Sequence, residues 1–121
     1  MDLVVRAFPV LEGREEDLRA FIQALQTTFQ HEVDAFYRKY GVRRETACLQ
    51  ESAQGKQVIV ITEIGTSTPA FSAYSTSEAE FDRWFKAQIL HISGIDLNQQ
   101  PQGPPSEHLF TWTRDTSPCH E

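Results

Sequence analysis

Between Leu18 and Tyr40, apolar side chains recur every three or four residues, a spacing that commits this stretch to a helical layer packed on something else. Leu18, Phe21, Ile22, Leu25, Phe29, Val33, Phe36, Tyr37 and Tyr40 fall on one face. The ends are marked as clearly as the face. Gly13 releases the chain from a preceding strand, and Glu15, Glu16 and Asp17 place three carboxylates against the positive helix end. Arg38 and Lys39 sit in the last turn, and Gly41 supplies the left-handed cap. Thr27-Thr28 lowers the helix propensity midway and marks a bend or break.

Around this helix the other elements follow by pattern. Residues 3–10 read as a strand ended by Pro9, residues 42–51 as a second, and residues 57–64 as a third and the most apolar. Ser52-Ala53-Gln54-Gly55 is short enough to join the last two as an antiparallel hairpin. Residues 65–77 read as a linker. A second helix starts at Ser77, tracks Phe81, Trp84, Phe85, Gln88, Ile89 and Ile92 inward, and ends at Gly94. Residues 98–106 hold three prolines and form a loop, and residues 109–114 read as a last strand.

The order strand, helix, strand, strand, helix, strand is a doubled βαβ unit. It predicts an α+β, ferredoxin-like domain over residues 1–115, with a four-stranded antiparallel sheet and two helices on one face. Residues 116–121 are expected to fray. Taking the pleat by parity groups Leu3, Val5 and Ala7 with Val58, Val60, Thr62 and Ile64. The other group holds Val4, Arg6 and Phe8 with Ile59, Ile61, Glu63, Phe110 and Trp112. Both faces of the central strands are apolar, where a half-solvated sheet alternates cleanly. A second copy of the chain against the open face, a sheet-to-sheet homodimer, is the expected remedy.

With 17 acidic residues against 11 Lys and Arg, the net charge of −6 argues against nucleic acid and against anionic membrane surfaces. No apolar run reaches the roughly 20 residues of a membrane span. The N-terminal residues lack a signal-peptide pattern, so the expected location is cytoplasmic. Cys48 and Cys119 are the two cysteines, expected to be free.

The Gly13-Arg14-Glu15-Glu16 helix entry, the amphipathic helix after it and the element order are similar to the dimeric α+β barrel superfamily. Residues 41–51, Gly41-Val42-Arg43-Arg44-Glu45-Thr46-Ala47-Cys48-Leu49-Gln50-Glu51, resemble a small bacterial family of uncharacterised proteins within it. The resemblance implies a ferredoxin-like subunit that dimerises through its sheet. The superfamily includes cofactor-independent monooxygenases, chlorite-dismutase-like haem proteins, small lyases and ligand-sensing domains, so the resemblance fixes no reaction. The proline-rich loop departs from the compact pattern of that superfamily.

For chemistry, the parity argument gathers Arg6, Glu45, Glu63 and Trp112, with Arg6 and Glu63 close enough to meet. Such a pair either anchors a ligand or is a satisfied ion pair. His91 is a candidate acid, base or axial ligand, or simply a histidine at a helix C-terminus; His108 has similar standing. Tyr37 and Trp84 are the members of the aromatic set that would line a cavity and want polar partners. His31-Glu32-Val33-Asp34-Ala35 fails the two-histidine zinc spacing, because Ala35 stands where the second histidine belongs. No phosphate loop, paired-cysteine site or nucleophile elbow is present, and no metal or cofactor is expected. The leading expectation is binding of a small, partly apolar molecule between helices and sheet. The rivals are a cofactor-independent oxygenase or lyase drawing on Arg6, Tyr37, Glu45 or His91, and a structural or interaction module.

Overall fold

In the computed structural model, residues 2–99 and 106–114 are described. The elements run β1 (Asp2–Pro9), α1 (Glu15–Gln26), α2 (Gln30–Lys39), β2 (Val42–Ser52), β3 (Gly55–Ile64), α3 (Ser67–Thr76) and α4 (Glu80–Ser93). The three strands make an antiparallel sheet in the order β1-β3-β2.

This corrects the ferredoxin-like expectation on three points. The sheet has three strands, and no strand forms at residues 109–114, where Leu109, Phe110 and Trp112 are 83%, 80% and 72% exposed. β1 is therefore an edge strand. The long helix is two helices, since at its middle Thr27 turns its hydroxyl back onto the Gln23 carbonyl at 2.8 Å. That competition with the helical ladder is the usual way a threonine weakens a helix. The supposed linker contains a helix of its own, α3, and α4 begins three residues later than Ser77 suggested. The frayed tail expected at 116–121 and most of the 98–106 loop lie outside the described residues, as does Cys119.

β3 is central because it pairs on both sides, with β1 from Asp2↔Ile64 to Pro9↔Gln57 and with β2 from Val42↔Ile64 to Ser52↔Gly55. The register also corrects the grouping of faces. Arg6 lies opposite Val60, and Leu3 opposite Glu63. Arg6, Phe8, Val60, Thr62 and Ile64 thus share the face under the helices, while Glu63 belongs to the other face with Leu3, Val5, Ile59 and Ile61. Parity within one strand says nothing of its phase against the next, and a slip of one residue inverts every side chain.

α3 exists in spite of its residues. Ser67-Thr68-Pro69-Ala70-Phe71-Ser72-Ala73-Tyr74-Ser75-Thr76 is rich in poor helix formers. Its ends are satisfied from elsewhere in the chain. The Asp2 carboxylate accepts hydrogen bonds from the Ser67 amide (2.9 Å) and hydroxyl (2.8 Å). At the other end the Lys86 ammonium donates to the carbonyls of Tyr74, Ser75 and Ser77 at 2.9, 3.1 and 3.1 Å. Lys86 is only 3% exposed, so these three oxygens take the place of its water.

The core sits between the sheet and the helices, with Phe36 of α2 at its centre. Its ring stacks on Phe85 at 4.8 Å between centroids and meets Tyr40, Tyr74 and Phe81 edge-on at 5.4–5.5 Å. These contacts tie α2 to both α3 and α4.

Lys86→Met keeps the length of the side chain but strands three carbonyls at the end of α3. The expected loss is about 2–4 kcal/mol, read as a lower urea midpoint, with faster amide exchange across residues 71–76. An unchanged midpoint with unchanged exchange there would show that α3 does not depend on this ammonium.

Candidate functional site

A cavity of about 280 Å³, partly open to solvent, lies between the sheet and the four helices. Most of its wall is apolar: Leu18 and Phe21 from α1, Val33 and Phe36 from α2, Val58 and Val60 from β3, and Ile92 from α4. A smaller part is polar, made by Arg6, Glu45, Thr62, Tyr37 and Tyr74.

Local geometry explains how five such residues arrive together. Arg6 and Thr62 point to the helical face by the pleat of β1 and β3. Tyr37 follows Val33 and Phe36 on the inner stripe of α2. Glu45 needs a further device. Val42 and Arg44 lie opposite consecutive residues of β3, Ile64 and Glu63, so Arg43 is an extra residue in β2. This bulge shifts the phase, and Val42, Glu45 and Ala47 all line the cavity although 42 and 45 differ by an odd number. Tyr74 is delivered by α3.

Glu45 is the hub of the polar wall. Thr62 Oγ1 donates to Glu45 Oε1 at 2.6 Å, and Tyr37 Oη donates to Glu45 Oε2 at 3.1 Å. Burial pushes its carboxyl above the ordinary range, against the pull of Thr62, the Arg6 charge and Tyr37. Burial likewise lowers the Arg6 guanidinium, while Glu45 opposes that change. The Arg6 guanidinium lies 4.9 Å from the ring centre of Phe71 and 5.6 Å from that of Phe8, so aromatic faces replace part of its water. The phenols of Tyr37 and Tyr74 are pushed up strongly, first by burial, with the Glu45 charge adding to it in both. Both stay protonated at neutral pH. Tyr74 is 7% exposed, yet its hydroxyl has no hydrogen-bond partner among the described residues.

Of the residues singled out in the sequence, Arg6, Glu45 and Tyr37 come together here. The others do not. Glu63 is on the opposite face of the sheet, because the register pairs Leu3, not Arg6, with it. Trp84 packs on Phe29 (4.5 Å between centroids), Phe81 and Phe21, and of these four only Phe21 lines the cavity. Trp112 stands exposed. His91 is at the surface, its Nε2 2.8 Å from Asp17 Oδ2. His108 is exposed and contacts Thr111 Oγ1. His31 is exposed, its neighbour Asp34 engaged by Arg38 at 3.0 Å. Cys48 is a free, exposed thiol. Among the described residues no three His, Cys, Asp or Glu side chains gather as metal ligands.

Thr62 and Tyr74 were not picked out in the sequence. Thr62 is a small polar residue in the most apolar strand, 1% exposed, which is the signal of a buried hydroxyl with a partner. Phe71 and Tyr74, three apart in the supposed linker, are the inner face of α3.

A second buried polar group lies nearby but outside the cavity. Asp82, 1% exposed, accepts hydrogen bonds from Lys39 (2.9 Å) and from the Tyr40 hydroxyl. Burial pushes its pKa up, but Tyr40, Lys39 and Ser77 outweigh it and the carboxyl ends below the ordinary range. Burial therefore prevails over the hydrogen bonds at Glu45 and yields to them at Asp82.

Compared with known proteins, the chain matches no family model, no curated protein and no solved structure. Among the described residues no helix is long and apolar enough to cross a membrane.

The folded chain holds the Glu45 proton to higher pH than the unfolded chain. It therefore binds more protons between the two pKa values, and stability falls as pH rises through that interval, above the ordinary value of 4.5. Comparing urea midpoints of the natural protein and Glu45→Gln, the natural protein should lose ground steadily as pH rises from 4.5 until Glu45 is fully ionised. A difference that stays flat across that range would mean Glu45 titrates normally.

Proposed function

We propose that the protein binds a small, mostly apolar molecule in the space between helices and sheet. The observation that carries this reading is the cavity itself: apolar over most of its wall, with one polar end. Ligand sites are commonly voids of roughly 300–1,000 Å³ lined by hydrophobic groups and a few placed polar ones. This one lies near the lower limit, which favours a ligand smaller than a typical drug. A core that was merely filled would leave no such space, since interiors pack with few voids larger than a water.

Toluene tests the reading directly. A ligand that binds only the folded chain raises its stability by mass action, so the unfolding temperature should rise with toluene concentration. Val60→Phe puts a ring into the cavity from the central strand and should abolish the rise. An absent shift in the natural protein, or an equal shift in the variant, would remove the cavity from consideration as a binding site.

The open face of the sheet supports a partner as well, and the same proposal includes a second copy of the chain on it. Leu3, Val5, Ile59 and Ile61 form an apolar strip there that no helix among the described residues covers, and Arg44 stands directly opposite Glu63 beside it. With one cation and one carboxylate side by side, the face carries both charges that a two-fold self-association could pair. With eight pairs between β1 and β3 and ten between β2 and β3, the sheet presents a footprint of roughly 400 Å². The exposed Leu109, Phe110 and Trp112 follow Ser106, whose hydroxyl accepts from the Val5 amide on edge strand β1 at 3.0 Å. Those exposed side chains would add to the sheet face toward the roughly 800 Å² per partner of a stable interface. Native mass spectrometry over a dilution series should find a dimer, and Ile61→Glu a folded monomer. A monomer throughout the series for the natural protein would refute the second copy without touching the cavity.

A further inference from the structure

The Tyr74 hydroxyl states what the cavity lacks. It is buried, it lines the void, and no acceptor reaches it among the described residues. An unmet buried hydroxyl is destabilising, and a ligand acceptor placed against it relieves that penalty. Charge narrows the acceptor further. Among the described residues the polar wall holds one guanidinium, Arg6, and one carboxylate, Glu45, and the Glu45 charge supports the charged form of Arg6. Both Glu45 oxygens already receive donors, from Thr62 and Tyr37. A carboxylate ligand would bring a second negative charge next to Glu45 in a poorly solvated space, which is unfavourable. A neutral carbonyl brings an acceptor without the charge.

We propose that the cavity selects an uncharged molecule with a one-ring apolar body and a carbonyl oxygen, and that Tyr74 Oη donates a hydrogen bond to that oxygen. The size follows from the void: roughly 150 Å³ is enough for benzene, and about 280 Å³ leaves room for a short polar branch. The inference rests on the reading of the cavity as a ligand site and names the chemistry of its ligand.

Three compounds of nearly equal shape test it: acetophenone, α-methylstyrene, which replaces the carbonyl oxygen by a methylene, and benzoate, which is charged. Binding of each is followed by titration calorimetry on the natural protein and on Tyr74→Phe. Acetophenone should bind roughly fivefold more tightly than α-methylstyrene, the usual value of one neutral hydrogen bond, and benzoate more weakly than either. In Tyr74→Phe the advantage of acetophenone should vanish while α-methylstyrene binds as before. That variant removes an oxygen with no protein partner, so its unfolding temperature should not fall. The carbonyl-carbon NMR signal of acetophenone gives a readout on the natural protein alone, moving downfield on binding if the oxygen is hydrogen-bonded. Equal binding of acetophenone and α-methylstyrene, an advantage that survives in Tyr74→Phe, tightest binding by benzoate, or an upfield carbonyl signal would each overturn the inference while leaving the cavity as a ligand site. Failure of all three compounds to bind would sink both.

Discussion

The Lys86 ammonium, buried among the carbonyls that end α3, is the contact on which the helical side of the molecule depends. A lysine gives up much favourable hydration when it enters a protein interior, and burial lowers its pKa here. Three carbonyl oxygens at a helix C-terminus, where the helix dipole is negative, are among the few uncharged environments that offset that loss. Lys86 is on α4, so the bond also fixes the position of α3 against α4. Asp2 does the same for the other end of α3 from β1. A segment with little intrinsic tendency to be helical is thereby clamped between the edge strand and the last helix.

What α3 carries explains why the clamp matters. Phe71 places its ring against the Arg6 guanidinium, and Tyr74 puts its phenol into the cavity wall and its ring against Phe36. α3 thus supplies part of the burial that raises the Glu45 pKa and lowers that of Arg6. The shift at Glu45, the neutral state of Tyr74 and the enclosure of the cavity therefore have one structural origin. Phe36 completes the arrangement from the other side. Its contacts reach Tyr40, Tyr74, Phe81 and Phe85, so α2, α3 and α4 close over the sheet together.

The sequence made some of this readable and hid the rest for identifiable reasons. The inner stripe of α1 and α2, the Gly41 and Gly94 caps and the β2–β3 hairpin follow from local periodicity and local conformational preference, which act over a few residues. Arg6, Glu45 and Tyr37 were legible as polar residues among apolar ones. α3 was not legible, because its end groups are satisfied by Asp2 and Lys86, 65 and 12 residues away from their partners Ser67 and Tyr74. Glu63 was misplaced because the phase between β1 and β3 is a tertiary fact, invisible to the alternation within either strand. The Arg43 bulge, which turns Glu45 inward, belongs to the same class. The 109–114 segment carries a strand-like composition, and composition does not say whether a neighbour exists to pair with it. In this chain β1 leaves that pairing unmade.

Where a protein tolerates polar strain also indicates what it is for. Asp82 and Lys86 are both deeply buried, and both are surrounded by partners that suit their charge. The fold is thus able to satisfy a buried ion when its task is to hold helices together. A few residues away it leaves Tyr74 without an acceptor and Glu45 with a carboxyl pushed up by burial. Both residues line the same cavity, together with Arg6, Tyr37 and Thr62. A buried hydroxyl without an acceptor and a carboxyl disfavoured by burial, both beside one void, are what supports reading that void as a ligand site.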